Sequence, residues 1–149
     1  MTFPREQILL RLVQIALTVG AKTVVRDTIT VNDDQLPCIA ILEGDEEADP
    51  DDPSNRPTAA PRRVHMQPHI VIAAARKVSP PVDIGPGLNE IFAALLKAIM
   101  TDATLADLTL DDRGVRYLGM ESDLAVGRNM QGQMAVKFQL TYGLVPSDL

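Results

Sequence analysis

The chain has no tryptophan, one cysteine, two histidines and only five other aromatic residues. With aromatics at 3%, it lacks the stacking platform on which sequence-independent single-strand binders lay successive bases. A lone cysteine, Cys38, cannot form an intramolecular disulfide, which excludes a disulfide-stapled secreted domain and points to a reducing compartment. No uncharged apolar run approaches the roughly 20 residues of a membrane span, and Arg11 interrupts the first apolar stretch. These features predict neither a span nor a signal peptide, and a soluble protein that stays inside the cell in which it is made. Positive charge is also short: 14 Lys and Arg against 20 Asp and Glu give a formal net charge of -6. That balance argues against a protein that wraps nucleic acid by neutralising phosphates.

What remains is the material of one ordinary domain. At 149 residues, 46% hydrophobic and 23% charged, the chain can bury a single core without disulfides or metals. The negative charge is concentrated rather than spread. Glu43, Asp45, Glu46, Glu47, Asp49, Asp51 and Asp52 place seven of the twenty acids within ten positions, leaving thirteen acids against fourteen bases elsewhere.

Hydrophobic spacing sets the expected elements. Ile8, Leu9, Leu12, Val13, Ile15, Ala16 and Val19 recur at three- and four-residue steps after Pro4 and predict an amphipathic helix over Arg5 to Val19. β-Branched density predicts a strand over Lys22 to Val31, with Val25, Ile29 and Val31 on one face. An Asn32, Asp33, Asp34 turn and a second apolar run, Leu36 to Glu43, complete an expected hairpin. Gly44 to Pro61, GDEEADPDDPSNRPTAAP, holds four prolines and no large apolar residue. It cannot bury enough surface to offset its ordering entropy, so a long mobile acidic loop at 44–61 is expected.

Strand character resumes over Val64 to Ala75, followed by a proline-rich connector to Gly87. Leu88, Ile91, Phe92, Leu95, Leu96 and Ile99 form the cleanest helical stripe, and Asp102 suits the cap of a short further turn. Gly114 to Met120 and the alternating Gly132 to Val145 read as two more strands. The order packs most simply as an α+β two-layer sandwich: one mostly antiparallel sheet of about five strands with two main helices on one face, the whole of 1–149 forming a single domain.

Chemistry-bearing constellations are weak. His65 and His69 have the spacing that would join two imidazoles on a helix. Pro68 and the surrounding alternation indicate a strand, where residues four apart stand about 13 Å apart at roughly 3.3 Å per residue. Cys38 reads as a small core residue, since no neighbouring sequence would activate its thiol. Asp45, Glu47, Asp49 and Asp51 alternate as in a calcium loop, but Pro50 stands where that loop needs glycine and Arg56 where it needs glutamate. Gly85 and Gly87 suggest a phosphate turn, yet Glu90 occupies the third glycine position and would repel a phosphate. No Walker lysine, nucleophile-elbow serine or base and nucleophile pair is found, so no enzyme and no catalytic, cofactor or metal residue is expected. Arg62 and Arg63 follow the acidic run and could anchor it or meet an acidic partner; a solvated pair is the simpler reading.

Three segments, VNDDQLPCIAILEGDEEAD, PRRVHMQPHIVI and GVRYLGMESDLAVGRNMQGQMAVKFQLTYGL, resemble those of tail terminator, or tail completion, proteins of lambda-like long-tailed bacteriophages. The resemblance spans nearly the whole chain in element order and rests on no catalytic signature. It implies a homo-hexameric ring that stacks on the last ring of the tail tube protein, ends tube polymerisation and offers a face to a head-tail connector or stopper protein. It further implies DNA passing through the ring without sequence-specific binding, no cofactor, no membrane, and residence at the head-proximal end of the virion tail after assembly in the host cytoplasm. Asp45, Glu46, Glu47, Asp49, Asp51, Asp52, Arg62 and Arg63 are the candidate interface or lumen residues. Neutralising the six acids among them is expected to leave folding almost unchanged. A head-to-tail stopper or neck protein fits the same composition, and a small cytosolic ligand- or metal-binding domain is the rival from another class.

Overall fold

The computed structural model describes residues 3–28, 33–52, 62–75, 77–78, 81–82, 84–110, 114–124 and 131–146. Helix α1 runs Pro4–Ala16, with Pro4 at its first position, where the missing N–H leaves no helical bond unmade. It stops three residues before the expected Val19, Leu17 serving as its C-cap. Its buried stripe is Ile8, Leu9, Leu12, Ile15 and Ala16. Helix α2, Ile84–Met100, buries Leu88, Leu95 and Ile99, so it holds the expected stripe but starts a turn earlier. Helix α3, Ala103–Leu108, is capped by the Asp102 carboxylate, which accepts from the Leu105 N–H at 2.8 Å.

The sheet contains β1 (Thr23–Arg26), β2 (Cys38–Ala48), β3 (Arg62–Ala75), β6 (Val115–Leu124) and β7 (Gln131–Leu144) in the order β1-β2-β3-β7-β6. Two-residue strands β4 (Lys77–Val78) and β5 (Pro81–Val82) pair separately within the expected connector. The β2/β3, β3/β7 and β7/β6 pairs are antiparallel, and the fold is the expected α+β sandwich with a mixed sheet.

Two expectations are corrected here. First, β1 and β2 do not form a hairpin: they are parallel, Thr23 opposite Cys38 and Arg26 opposite Ile41. β1 ends after four residues, at Asp27 with a left-handed φ of 57°. The Lys22 and Thr23 amides then bond the Pro37 carbonyl, which aligns the starts of both strands. Ile29 and Val31, expected on one face with Val25, lie outside the described residues. Second, the segment expected as a mobile loop from Gly44 begins as strand, because β2 continues to Ala48 and pairs Asp45–Ala48 with Val64–Gln67. Backbone bonds to a neighbouring strand supply the order that the acidic side chains could not supply by burial. Residues 53–61 of that segment lie outside the described residues.

Strand alternation divides the sheet into two faces. Ile39 and Ile41 of β2, Val64, Met66, Ile70 and Ile72 of β3, and Met134, Val136, Phe138, Leu140 and Tyr142 of β7 join the helix stripes in one buried cluster. Phe138 is fully enclosed; burial of a side chain of that size contributes about 1.5–3 kcal/mol. The opposite face, which no helix among the described residues covers, carries Gln67, His69, Lys137 and Gln139 between small residues such as Ala73 and Ala135. At about 3.3 Å per residue the 14-residue β3 and β7 outrun the helices, which rise 1.5 Å per residue.

Candidate functional site

The acidic run sits at the far end of the β2/β3 pair, and a bulge decides where each side chain goes. Leu42 lies opposite His69 but Asp45 lies opposite Gln67, so Glu43 and Gly44 together face Pro68. Gly44 has φ 68°, and a Cβ there would lie 1.9 Å from the Gln67 carbonyl oxygen. Only glycine fits this position.

Beyond the bulge the acids separate. Asp45 and Glu47 point to the helix-free face, Glu47 directly opposite His65. Glu46 lies opposite Met66, on the helix side. Its Oε1 accepts from the Tyr142 hydroxyl at 2.7 Å and from Arg5 Nη1 at 2.9 Å, tying β2 to β7 and to the start of α1. Burial, and then the bond to Glu46, pushes the Tyr142 phenol well above its ordinary range. Arg26 repeats the pattern nearby, meeting Glu6 of α1 at 2.6 Å and Glu43 at 3.2 Å. The hydrogen bond to Arg26 holds the Glu6 carboxyl below its ordinary value.

Asp49, Asp51 and Asp52 build the turn that leaves β2. The Asp49 carboxylate accepts from the Asp51 N–H at 2.9 Å, and the Asp49 carbonyl accepts from the Asp52 N–H at 3.2 Å. The Asp52 carboxylate accepts from the Arg63 N–H at 2.6 Å. Asp49 Oδ2 also stands 3.7 Å from Arg63 Nη1 and 3.5 Å from His65 Nε2. Arg63 thus anchors the acidic turn, one of three readings open to it in the sequence, of which a solvated pair is the simplest. Arg62, opposite Leu144, lies on the other face of the sheet. The eight candidate residues therefore form three groups rather than one: Asp45, Glu47 and Arg63 on the helix-free face, the three aspartates in the turn, and Glu46 with Arg62 on the helix side.

From its strand position in the sequence, His65 reads as a solvent- or partner-facing histidine. Its Nδ1 lies 2.7 Å from Thr141 Oγ1, and one neutral tautomer satisfies both contacts, Nε2–H toward Asp49 and Nδ1 accepting from Thr141. An aspartate, histidine and threonine in line have the connectivity of a catalytic triad, but Thr141 is buried in mid-strand, with its own N–H and C=O bonded to Gly114 and Leu110. A substrate carbonyl has no approach to that hydroxyl, so the group ties the turn to β3 and β7. Tyr142, Arg5 and Thr141 are the site residues that the sequence did not single out. In the sequence Tyr142 is one position of the alternating Gly132 to Val145 strand.

Other chemistry-bearing groups have structural settings. Cys38 is buried, which pushes its thiol up and away from the thiolate form. Among the described residues, no three His, Cys, Asp or Glu side chains converge to hold a metal ion. An open groove of about 540 Å³ runs between Ile99, Met100, Asp102, Ala106, Thr109 and Val115. Its Asp102 is engaged by Arg11, whose Nε donates at 2.9 Å. No helix among the described residues is long and apolar enough to cross a membrane.

No family model and no curated protein matches the chain. Among solved structures, it is similar to a chain of the virion of a native gene transfer agent particle, at 13% identity and a TM-score of 0.46, covering 91% of this chain and 92% of that one. It is also similar to the type 4 fimbrial biogenesis protein PilO from Pseudomonas aeruginosa, at 10% identity and a TM-score of 0.38, covering 93% and 68%.

Proposed function

We propose that this chain is a virion structural protein of a phage-like particle, and more closely a tail terminator. In that role copies form a hexameric ring on the last ring of the tail tube, stop its growth and present a face to the head connector. The sequence resemblance names this role. The observation that carries it is the two-sided sheet: one face seals the core, while the other leaves Asp45, Glu47, Gln67, His69, Lys137 and Gln139 on a broad, mostly polar surface. Such a face suits a ring wall or a protein contact better than a substrate site, which would concentrate a few polar groups in an apolar pocket. The protein works by assembly and has no turnover of its own. DNA passes through the ring without base readout.

Native mass spectrometry of the purified chain, alone and with tube ends, tests this reading. A hexamer, or a monomer that becomes hexameric on tubes, is expected, and loss of the protein should give tails of uncontrolled length with few joined particles. A stable dimer that never caps tubes overturns the terminator role in favour of a small binding domain. A turnover abolished by one substitution overturns the non-catalytic reading.

A further inference from the structure

Among the described residues, six of the seven exposed large apolar side chains fall in two patches at opposite edges of the molecule; the seventh is Met100. One patch lies on α1 and its flanks, where Phe3, Leu10 and Leu17 recur at seven-residue spacing and are 49%, 45% and 64% exposed. Residues seven apart lie two turns apart on the same side of a helix, so these three form one outer stripe. Leu10 is flanked by Glu6, which bonds Arg26 of β1, and so the stripe borders the β1 edge. The other patch lies on β6, the opposite terminal strand, where Tyr117, Leu118 and Met120 are 40%, 46% and 37% exposed. Tyr117 stacks toward Phe92 of α2, and Met120 lies opposite the buried Val136, so both stand on the helix side of the sheet. The patches thus occupy the same layer at opposite ends of one chain. They cannot meet within it.

We infer that copies of this chain join head to tail, β6 of one copy lying against β1 and the outer stripe of α1 of the next. The strand directions allow it. β1 runs with β2, and each later step across the sheet reverses direction, so β6 runs opposite to β1. A second copy placed in the same orientation beside the first therefore presents β6 antiparallel to β1. The charges agree. Lys22 and Asp27 flank β1, while Arg116 and Glu121 lie on β6, all four exposed, and Glu121 also accepts from Lys137 of its own chain at 2.8 Å. The antiparallel arrangement brings Arg116 to the Asp27 end and Glu121 to the Lys22 end, opposite signs at both. Tyr117, Leu118 and Met120 of one copy then reach the Leu10 and Leu17 stripe of the next. Such a contact uses two different surfaces, the heterologous kind that generates rings when the rotation closes. This inference rests on the ring reading above and assigns its subunit contact.

The test uses Leu17→Glu for the α1 side and Leu118→Glu for the β6 side, with unchanged far-UV circular dichroism and melting temperature as evidence that both fold. The wild-type chain is expected to assemble in native mass spectrometry. Each variant alone should weaken assembly by at least about a hundredfold, since a charge is buried without a partner. Mixed one to one, the variants should give a heterodimer and nothing larger, because each retains the surface that the other has lost. If the wild type assembles and both variants assemble equally well, this contact is overturned and the ring reading stands. If the variants fail singly and the mixture stays monomeric, the head-to-tail assignment is overturned. If the wild type remains monomeric alone and on tube ends, the ring reading falls and the contact with it.

Discussion

The Tyr142 hydroxyl donates to Glu46 at 2.7 Å, and Arg5 bonds the same carboxylate oxygen at 2.9 Å. A residue in the middle of an acidic run is therefore a clamp between two strands and a helix. Its neighbours Asp45 and Glu47 point the other way. The expectation that six neutralisations leave folding unchanged narrows accordingly. Asp45→Asn, Glu47→Gln and Asp51→Asn should each change stability by less than about 0.5 kcal/mol, as exposed substitutions do. Tyr142→Phe should cost about 1.5–3 kcal/mol by removing a hydrogen bond to a charged acceptor, and Glu46→Ala should cost at least as much. Urea denaturation of the five variants checks the contrast. Equal effects at positions 45, 46 and 47 would remove the clamp.

Gly44→Ala should be the most damaging small change in the β2/β3 pair. The added Cβ would lie 1.9 Å from the Gln67 carbonyl oxygen, at a left-handed φ of 68°. Strain of this kind, with the bulge forced to rearrange, should lower stability by about 2–4 kcal/mol. A loss below about 0.5 kcal/mol in chemical denaturation would mean that the bulge relaxes freely.

Acid should unfold the protein partly through Asp102 and Glu6. Hydrogen bonds from Arg11 to Asp102 and from Arg26 to Glu6 hold both carboxyls below their ordinary values. Each folded carboxylate therefore resists protonation more than its unfolded counterpart. The stability it contributes is complete above the ordinary carboxylate range of about pH 4 and disappears as pH falls through the depressed folded value. Melting temperature followed from pH 6 downward should drop less steeply in Asp102→Asn, which keeps an oxygen for the Leu105 N–H but loses the charge. Asp102→Ala should also lose the helix cap, about 1 kcal/mol at neutral pH. Parallel acid profiles for the wild type and Asp102→Asn would remove this linkage.

The exposed acids separate two roles in assembly. With Asp45→Asn, Glu47→Gln and Asp51→Asn combined, the clamp and the turn carboxylates of Asp49 and Asp52 stay intact. If these acids line a DNA conduit, joined particles should still form but eject DNA poorly, because like charge no longer repels the backbone. If they steer a basic neighbour, joining itself should slow and lose its sensitivity to salt, since exposed charges act over about 8 Å at physiological ionic strength. Joining and ejection both at wild-type rates would leave the acids a solvated surface.

The periodic elements and the cap were determined by the sequence alone. The stripes of α1 and α2, the alternation of β7 and the Asp102 cap depend on neighbours within a few residues, so local spacing displays them. Pairing depends on distant partners. Val25 and Ile41 look alike in a hairpin and in a parallel pair, and only the register of Thr23–Arg26 against Cys38–Ile41 shows which was formed. In the sequence Gly44 only opens the segment expected as a mobile loop. That it marks a bulge, after which the alternation of an acidic run sends Glu46 to Tyr142 and its neighbours to the open face, was decided by β3 lying alongside. A strand's charge pattern says which side chains alternate; the tertiary structure chooses which set is buried, because one extra residue in the register exchanges the two faces.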